Sequence, residues 1–562
     1  MSELKWWQTA VFYQIYPRSF ADSNGDGIGD LQGIIAKLDY LKTLGIGAIW
    51  LSPHFPSPLV DCGYDVSDYR GVAQEYGKPE DFKRLLDEAH QRNIKIVLDM
   101  VFNHTSDQHA WFIESKSSKD NPKRDWYIWK KGNGKNPPNN WYSTFGGSAW
   151  EYDAYTDECY YHFFFKEQPD LNWRNPQVKE AMWNEVRFWL DMGVDGFRLD
   201  AIGTIFEDPR MPNQNAGFTL EDLFIRNRKA KTDEERAQIP AYWEELFHYQ
   251  HDQPGIHELM KELRQVVDEY DDRVLIGETD DIQFYGNGDN ELHLVFNFPL
   301  MRLETLTSKN VRKNQIERLK ALPKDAWPCN TLGNHDCPRM FIRFGDGKHD
   351  AELAKLHLAM LLTLKGTPVL YNGEEIGMSD LLITDPRQYQ DPLSTRNYQL
   401  EMQLMGTKSE EAILVGAREG RDKNRTPMQW SNGPNAGFCP ENAKPWLPIN
   451  PDYRNQVNVA DQEKDSNSLL NFYRKFISFR QSEPTLVYGE YEPHFPEGKN
   501  ILAYVRRLKD SATLVLLNFS DQPSRISIDD YHPRQVVFTH QAVLKGNIAQ
   551  IEPFGILIIK VG

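Results

Sequence analysis

An arginine and an aspartate stand two residues apart at the end of a short apolar run, Gly196-Phe197-Arg198-Leu199-Asp200. Strand side chains alternate, so Phe197 and Leu199 face one way and Arg198 and Asp200 the other. Putting both charges on a buried face is costly unless each is paired or used. Alone, such a pair reads as a structural ion pair. Here it has company. Asp99 ends another apolar run, with Asn103-His104 close behind. Glu278 ends the run 274–278, His335-Asp336 follow the run 330–333, and Glu374-Glu375 follow 367–371. Carboxylates, two histidines and an arginine at strand ends suit two chemistries. Metal-assisted hydrolysis is one, but the chain has no HxH or HExxH, and Arg198 beside Asp200 would repel a cation. Glycoside hydrolysis fits better, because it needs two carboxyl groups across the scissile bond, one as nucleophile and one as acid and base.

The elements that must position these groups repeat. Strand-like runs begin near Val11, Gly47, Lys95, Gly196, Val274, His293, Asn330 and Thr367, and helical runs separate most of them. Alternating β and α of this kind predicts a (β/α)8 TIM barrel, whose strand ends share one face. A doubly wound sheet is the alternative, but no GxGxxG or GxxxxGK[ST] follows any strand. The rhythm breaks over 105–170, which is rich in Asn, Gly, Pro, Lys and aromatics and too long for an ordinary connection. The chain therefore divides into a first part of a catalytic barrel (1–104), an inserted loop-rich domain after the third strand (105–170), the remainder of the barrel (171–485) and an all-β domain (486–562) with short alternating strands. Segments 204–249 and about 375–465 read as irregular excursions.

Composition bounds the partners. With 562 residues, 40% hydrophobic and 26% charged, the chain is a globular protein large enough for several domains. A net charge of −17 argues against nucleic acid and anionic membranes. The load of 15 Trp, 25 Tyr and 29 Phe serves either a large core or stacking on sugars. Five cysteines, an odd number without a CxxC, suit a reducing compartment. The first ten residues lack an apolar signal core, and no apolar run reaches ~18 residues. A cytoplasmic location is expected. In Asp22-Ser23-Asn24-Gly25-Asp26-Gly27-Ile28-Gly29-Asp30, oxygen side chains alternate with glycines, as a hard cation such as Ca²⁺ (or Mg²⁺) requires. The twelfth position is Gly33, so this is not an EF-hand, and a metal-free turn is the alternative.

Five motifs in order carry a family resemblance: Asp99-Met100-Val101-Phe102-Asn103-His104, Gln168-Pro169-Asp170-Leu171-Asn172, Gly196-Phe197-Arg198-Leu199-Asp200, Gly277-Glu278 and Gly333-Asn334-His335-Asp336. Over nearly its whole length the chain resembles glycoside hydrolase family 13, the α-amylase family, in its oligo-1,6-glucosidase and α-glucosidase branch. The resemblance implies that Asp200 is the nucleophile, Glu278 the acid and base, and Asp336 the group that holds sugar hydroxyls and stabilises the transition state. It implies that Arg198 orients Asp200 and that His104 and His335 donate to the glucose being cleaved. Tyr64 and Asp65 resemble a stacking tyrosine and an aspartate for the non-reducing end, with Arg421 as that aspartate's partner; such a pair closes the site into an exo-acting pocket. Phe145 and Phe164 resemble aromatics on the aglycone side. Asp22, Asn24, Asp26, Ile28 (by its carbonyl) and Asp30 match a structural cation loop remote from the chemistry. Relatives specific for α-1,6 bonds usually carry Val after the nucleophile, where Ala201 stands here, so α-1,4 or mixed substrates such as maltose and sucrose are expected. Isomaltose-type hydrolysis, or transglycosylation of the sucrose isomerase or trehalose synthase type, is the alternative. The Arg-rich loop of sucrose isomerases is replaced by Met340-Phe341-Ile342. A binding protein of the same fold would lack a catalytic carboxylate or carry a membrane anchor. The expected partner is a small saccharide, and the expected state a monomer or weak homo-oligomer.

Overall fold

The computed structural model describes residues 4–494 and 500–562. Eight parallel strands form the central sheet: β1 (Phe12–Ile15), β2 (Ala48–Leu51), β3 (Lys95–Val101), β4 (Gly196–Asp200), β5 (Val274–Gly277), β6 (Leu294–Val295), β7 (Cys329–Thr331) and β8 (Thr367–Tyr371). They run in the order β7-β8-β1-β2-β3-β4-β5-β6, and a parallel bridge from Phe296 to Cys329 closes the ring. The barrel and all eight strand positions match the sequence expectation.

The alternation of strand side chains sorts the barrel into layers. One apolar cluster gathers Phe12, Ala48, Trp50, Val97, Val274, Ile276, Leu294 and Val369 inside the barrel. The other face of the same strands, with Tyr13, Ile49, Leu98, Phe197, Leu199 and Leu275, packs against the surrounding helices. Both faces are therefore buried, which is why these strands read as continuous apolar runs. Two residues beyond Val97 on its face comes Asp99, in register with Arg198 on β4. Arg198 is in turn in register with Ile276, two residues before Glu278. The register alone thus stacks a charged layer on an apolar plug at the C-terminal rim.

Within the segment after β3, Trp129–Lys130, Trp150–Asp153 and Glu158–Tyr161 form a three-stranded antiparallel sheet. The segment is tied back to the barrel by the Leu171 N–H donating to the Asn103 carbonyl at 2.9 Å. The C-terminal domain is a six-stranded antiparallel sheet whose core includes Ile501, Leu514, Leu516, Leu557 and Ile559. Among the described residues no helix is long and apolar enough to cross a membrane. All five cysteines are free.

Two stretches expected to be irregular are helical. Segment 204–249 holds α1 (Leu220–Lys229) and α2 (Asp233–Leu246), and segment 375–465 holds α3 (Pro392–Met405) and α4 (Ser409–Glu419). Their cap signals are present in the sequence: Thr219 with Asp222, Thr232 with Glu235, and Asp391 before Pro392. What α1 and α3 lack is a broad apolar stripe. The residues α3 buries are Ser394 and Glu401, and α1 buries only Leu220 and Leu223. Periodicity is the main sequence signal for a helix, and these two offer little of it, although α4 buries Ala412, Val415 and Gly416 at helical spacing.

Candidate active site

Arg198 is the hub. Its Nη1 donates to Asp99 Oδ1 at 2.6 Å and to Asp200 Oδ1 at 2.8 Å, and its Nη2 lies 2.8 Å from Glu278 Oε1. One guanidinium thus holds three carboxyl groups. Their exposure separates their roles. The Asp99 side chain is 0% exposed, whereas Asp200, Glu278 and Asp336 are 12%, 23% and 30% exposed. A ligand can therefore touch the last three, while Asp99 and Arg198 act behind them. Asp99 is further fixed by the Trp50 indole N–H at 3.0 Å and the Tyr64 hydroxyl at 3.1 Å.

Asp200 and Glu278 rest on the two Nη atoms of one guanidinium, each at 2.8 Å, which sets their carboxyl groups side by side. That is the close spacing of a retaining glycosidase rather than the wider spacing of an inverting one. The backbone N–H of Ala201 donates to Glu278 Oε2 at 2.9 Å and holds that carboxyl group against the end of β4. Ala201 adopts a left-handed backbone, φ +43°, where the chain turns sharply out of β4.

Burial, and then the Glu278 charge beside it, push the Asp200 carboxyl well above the usual range, against the pull of Arg198. Asp99 adds to that rise through its own charge. Asp99→Asn removes a like charge and frees Arg198 for Asp200. The acidic limb of kcat/KM should then move to lower pH, read from a pH–rate profile on any hydrolysed α-glucoside. An unmoved limb would exclude Asp99 from the electrostatics of the pair.

The opposite wall is built on Asp336. Burial alone would raise its carboxyl, but the charges of His335, Arg425 and Arg421 outweigh burial and hold it well below the usual carboxylate range. Since burial keeps His335 itself neutral, the holding charge belongs to the two arginines. Arg425 Nη2 is 2.6 Å and Arg421 Nη1 3.4 Å from Asp336 Oδ1. The Gln14 amide lies 2.7 Å from His335 Nδ1, and the Tyr64 hydroxyl 2.8 Å from its Nε2. If the Gln14 NH2 donates to Nδ1, the ring proton sits on Nε2 and points at Tyr64, whose hydroxyl donates to Asp99. The Tyr64 ring stacks on His335 with centroids 5.6 Å apart. Burial also lowers His104, to about 4. It is 2.9 Å from the Gln168 amide and reaches Phe164, ring centroids 5.1 Å apart, with Phe145 a further 5.4 Å from Phe164.

One assignment needs correcting. Arg421 does not pair with Asp65. It pairs with Asp61 at 2.8 Å and with Asp391 at 2.8 Å. Asp65 is fully buried and accepts from the Ser57 hydroxyl and from the N–H groups of Val60 and Asp61 at 2.8–3.0 Å, so it shapes the loop that presents Asp61. Both aspartates flank the same Gly63-Tyr64 turn, and only the fold shows which one points at Arg421. Asp391 and Arg425 were missed too. Asp391 caps α3 and is held at about 2, burial being outweighed by the charge and hydrogen bonds of Arg421. Arg425 lies in the same motif as Arg421, and its spacing was a usable signal.

The loop 22–30 stands apart. Asp22 accepts from the N–H groups of Asn24, Gly25 and Gly27, Asp26 accepts from Ile28, and Asp30 caps the helix Leu31–Ala36. Among the described residues no three His, Cys, Asp or Glu side chains gather to hold a metal ion. The Asp22 and Asp26 carboxylates accept from the loop's own backbone N–H groups, which orders the turn and leaves further lone pairs on their oxygens.

A family model, "Alpha amylase, catalytic domain", matches residues 14–489. An oligo-1,6-glucosidase of Parageobacillus thermoglucosidasius is 41% identical over 547 residues, covering 94% of this chain and 93% of that protein. An α-glucosidase of Pediococcus pentosaceus is 40% identical over 514 residues, covering 87% of each. Among solved structures, an isomaltulose synthase from Klebsiella sp. LX3 superposes with a TM-score of 0.87 at 37% identity, covering 100% of both chains.

Proposed function

The chain belongs to the α-amylase family of glycoside hydrolases, and on that premise we propose that it is a retaining, exo-acting α-glucosidase that cleaves short α-glucosides such as maltose or sucrose. The observation that carries this reading is the Asp61–Arg421–Asp391 cluster, which walls the site beside the Asp200–Glu278 pair. A charged wall joined to Asp336 through Arg421 suits the grip of a terminal glucose rather than the passage of a chain.

In this reading Asp200 attacks the anomeric carbon while Glu278 gives its proton to the glycosidic oxygen. The aglycone departs as an alcohol and a β-glucosyl ester forms on Asp200. Glu278, now a carboxylate, takes a proton from water, and that water displaces Asp200 and restores the α-configuration. Asp336, held ionised by Arg425 and Arg421, grips sugar hydroxyls in both steps. An acceptor sugar in place of water gives transglycosylation, which the same geometry permits.

Linkage is assigned from Ala201. A small residue at the turn after the nucleophile leaves the aglycone side open, and one methyl-scale difference is worth ~1–3 kcal/mol of discrimination. Glucose should therefore form from maltose or sucrose at least about tenfold faster than from isomaltose, measured by chromatography on equimolar sugars. Faster isomaltose cleavage would assign the protein to the oligo-1,6-glucosidases. Rearranged disaccharides with little glucose would assign it to the synthases.

A cation at the loop of Asp22, Asn24, Asp26, Ile28 and Asp30 is a further proposal, with a structural role only. Its ligands would be oxygens of these residues, on lone pairs that the backbone N–H groups do not use. Millimolar Ca²⁺ added to protein stripped with chelator should then raise the melting midpoint by ~1–4 °C. An unchanged midpoint with both Ca²⁺ and Mg²⁺ leaves the loop as a metal-free turn.

A further inference from the structure

Beside the catalytic rim a second concavity opens between the loop Phe145-Gly146-Gly147, α1 and α3. Its volume is about 210 Å³, and its walls include Phe145, Leu220, Phe224 and Leu400, with two charged residues, Glu221 and Arg396.

Arg396 is the unusual member. It is half-buried, yet among the described residues it makes no hydrogen bond and no ion pair. Glu221 acts on it only through space. The arginines of the catalytic rim, Arg198, Arg421 and Arg425, all rest on carboxylates. The chain has 81 acidic residues against 64 Lys and Arg, so partners for an arginine are abundant. Desolvating a guanidinium without a counter-charge is unfavourable, and a fold with acid to spare that leaves one bare keeps it available for a ligand. The neighbouring loop is also shaped to admit it. A Cβ on Gly146 would come within 3.0 Å of Arg396 Nε, so the glycine at φ +105° lets the guanidinium lie against the backbone.

The concavity is connected to the site from two directions. Arg396 lies on α3, whose capping residue Asp391 grips Arg421. It stands little more than one turn further along, about 7.5 Å on the helix axis. Phe145, on the other wall, leads through Phe164 to His104. The cavity therefore flanks the mouth on the aromatic side, where the aglycone leaves.

We propose that this concavity receives the far end of the aglycone, and that Arg396 selects α-glucosides whose aglycone carries an anionic group, a carboxylate or a phosphate. The proposal rests on the reading of the Phe145–Phe164 side as the aglycone side. A guanidinium offers paired N–H donors that match either anion, and the apolar walls of Phe145 and Phe224 strengthen the attraction by keeping water away. Glu221 accepts from sugar hydroxyls on the same wall and disfavours an anion seated away from Arg396.

The test compares pairs of sugars that differ in charge alone. Maltobionate and maltitol share an open-chain aglycone ending in a carboxylate or a hydroxymethyl group. Trehalose 6-phosphate and trehalose make the corresponding phosphate pair. At low ionic strength the native protein should favour the anion in at least one pair by about tenfold in kcat/KM, and Arg396→Gln should bring that ratio to within about twofold of one. The responding pair identifies the anion. A ratio near one in both pairs for the native protein, or a preference that survives in the variant, would overturn the proposal. Failure to hydrolyse any α-glucoside would instead overturn the glycosidase reading. Calorimetric binding of the same pairs to the native protein and to Arg396→Gln would then decide the role of Arg396, by the same ratios.

Discussion

Asp200→Asn should lower kcat on any hydrolysed α-glucoside by at least about 10⁴-fold while leaving the melting midpoint unchanged or raised. The loss is large because the carboxylate forms the bond to the anomeric carbon, and an amide in its place cannot. Removing a group that acts within a catalytic unit costs on the order of 5 kcal/mol or more of barrier. Stability moves the other way because Asp200 is one of three carboxyl groups crowded on Arg198. Burial and the charges of Glu278 and Asp99 disfavour its ionised form, so a neutral amide relieves like-charge repulsion. Asp99 and Glu278 remain to hold the guanidinium. A variant that is inactive and as stable as the native protein separates a chemical role from a structural one. Retention of more than a hundredth of the activity would exclude Asp200 as the nucleophile.

The second large effect belongs to the wall. Asp61→Asn should reduce kcat/KM on maltose by about 10²–10³-fold, since charge-assisted hydrogen bonds to a sugar are worth ~1.5–3 kcal/mol each and the change also loosens Arg421. Asp65→Asn is the informative contrast. Asp65 makes no hydrogen bond or ion pair with Arg421, and it accepts the N–H groups of two neighbours and one hydroxyl. An amide there opposes donor to donor and costs about 1–3 kcal/mol of stability, with kcat/KM of the folded protein changed far less than by Asp61→Asn. Thermal melts and initial rates on the two variants distinguish them. The reverse outcome, with Asp65→Asn losing turnover at full stability, would restore Asp65 as the sugar-gripping residue and undo the wall described above.

The contrast between these two aspartates also shows what a linear chain discloses. The strands were legible because a barrel strand is buried on both faces, so Lys95–Val101 and Thr367–Tyr371 read as nearly unbroken apolar runs. The meeting of Asp99, Asp200 and Glu278 was legible because each ends such a run, and the barrel brings run ends together whatever lies between them. Asp61 was not, because it lies in a turn where sequence distance says nothing of direction; four residues separate it from Asp65, and the backbone reverses between them. Asp391 was hidden for another reason. It reaches Arg421 from the start of α3, a helix too solvated to show a periodic apolar face. Arg396 shares that helix. Its lack of a partner exists only in three dimensions, where α3, α1 and the Phe145 loop meet.

The most direct test of the double displacement is the anomeric form of the first glucose released. Proton nuclear magnetic resonance, followed from the first seconds of hydrolysis and faster than mutarotation, distinguishes α- from β-glucose. The close Asp200–Glu278 pair on Arg198 predicts that α-glucose appears first and the β-form grows in only by mutarotation. Appearance of β-glucose first would mean a single displacement by water, and would contradict the assignment of Asp200 as the nucleophile.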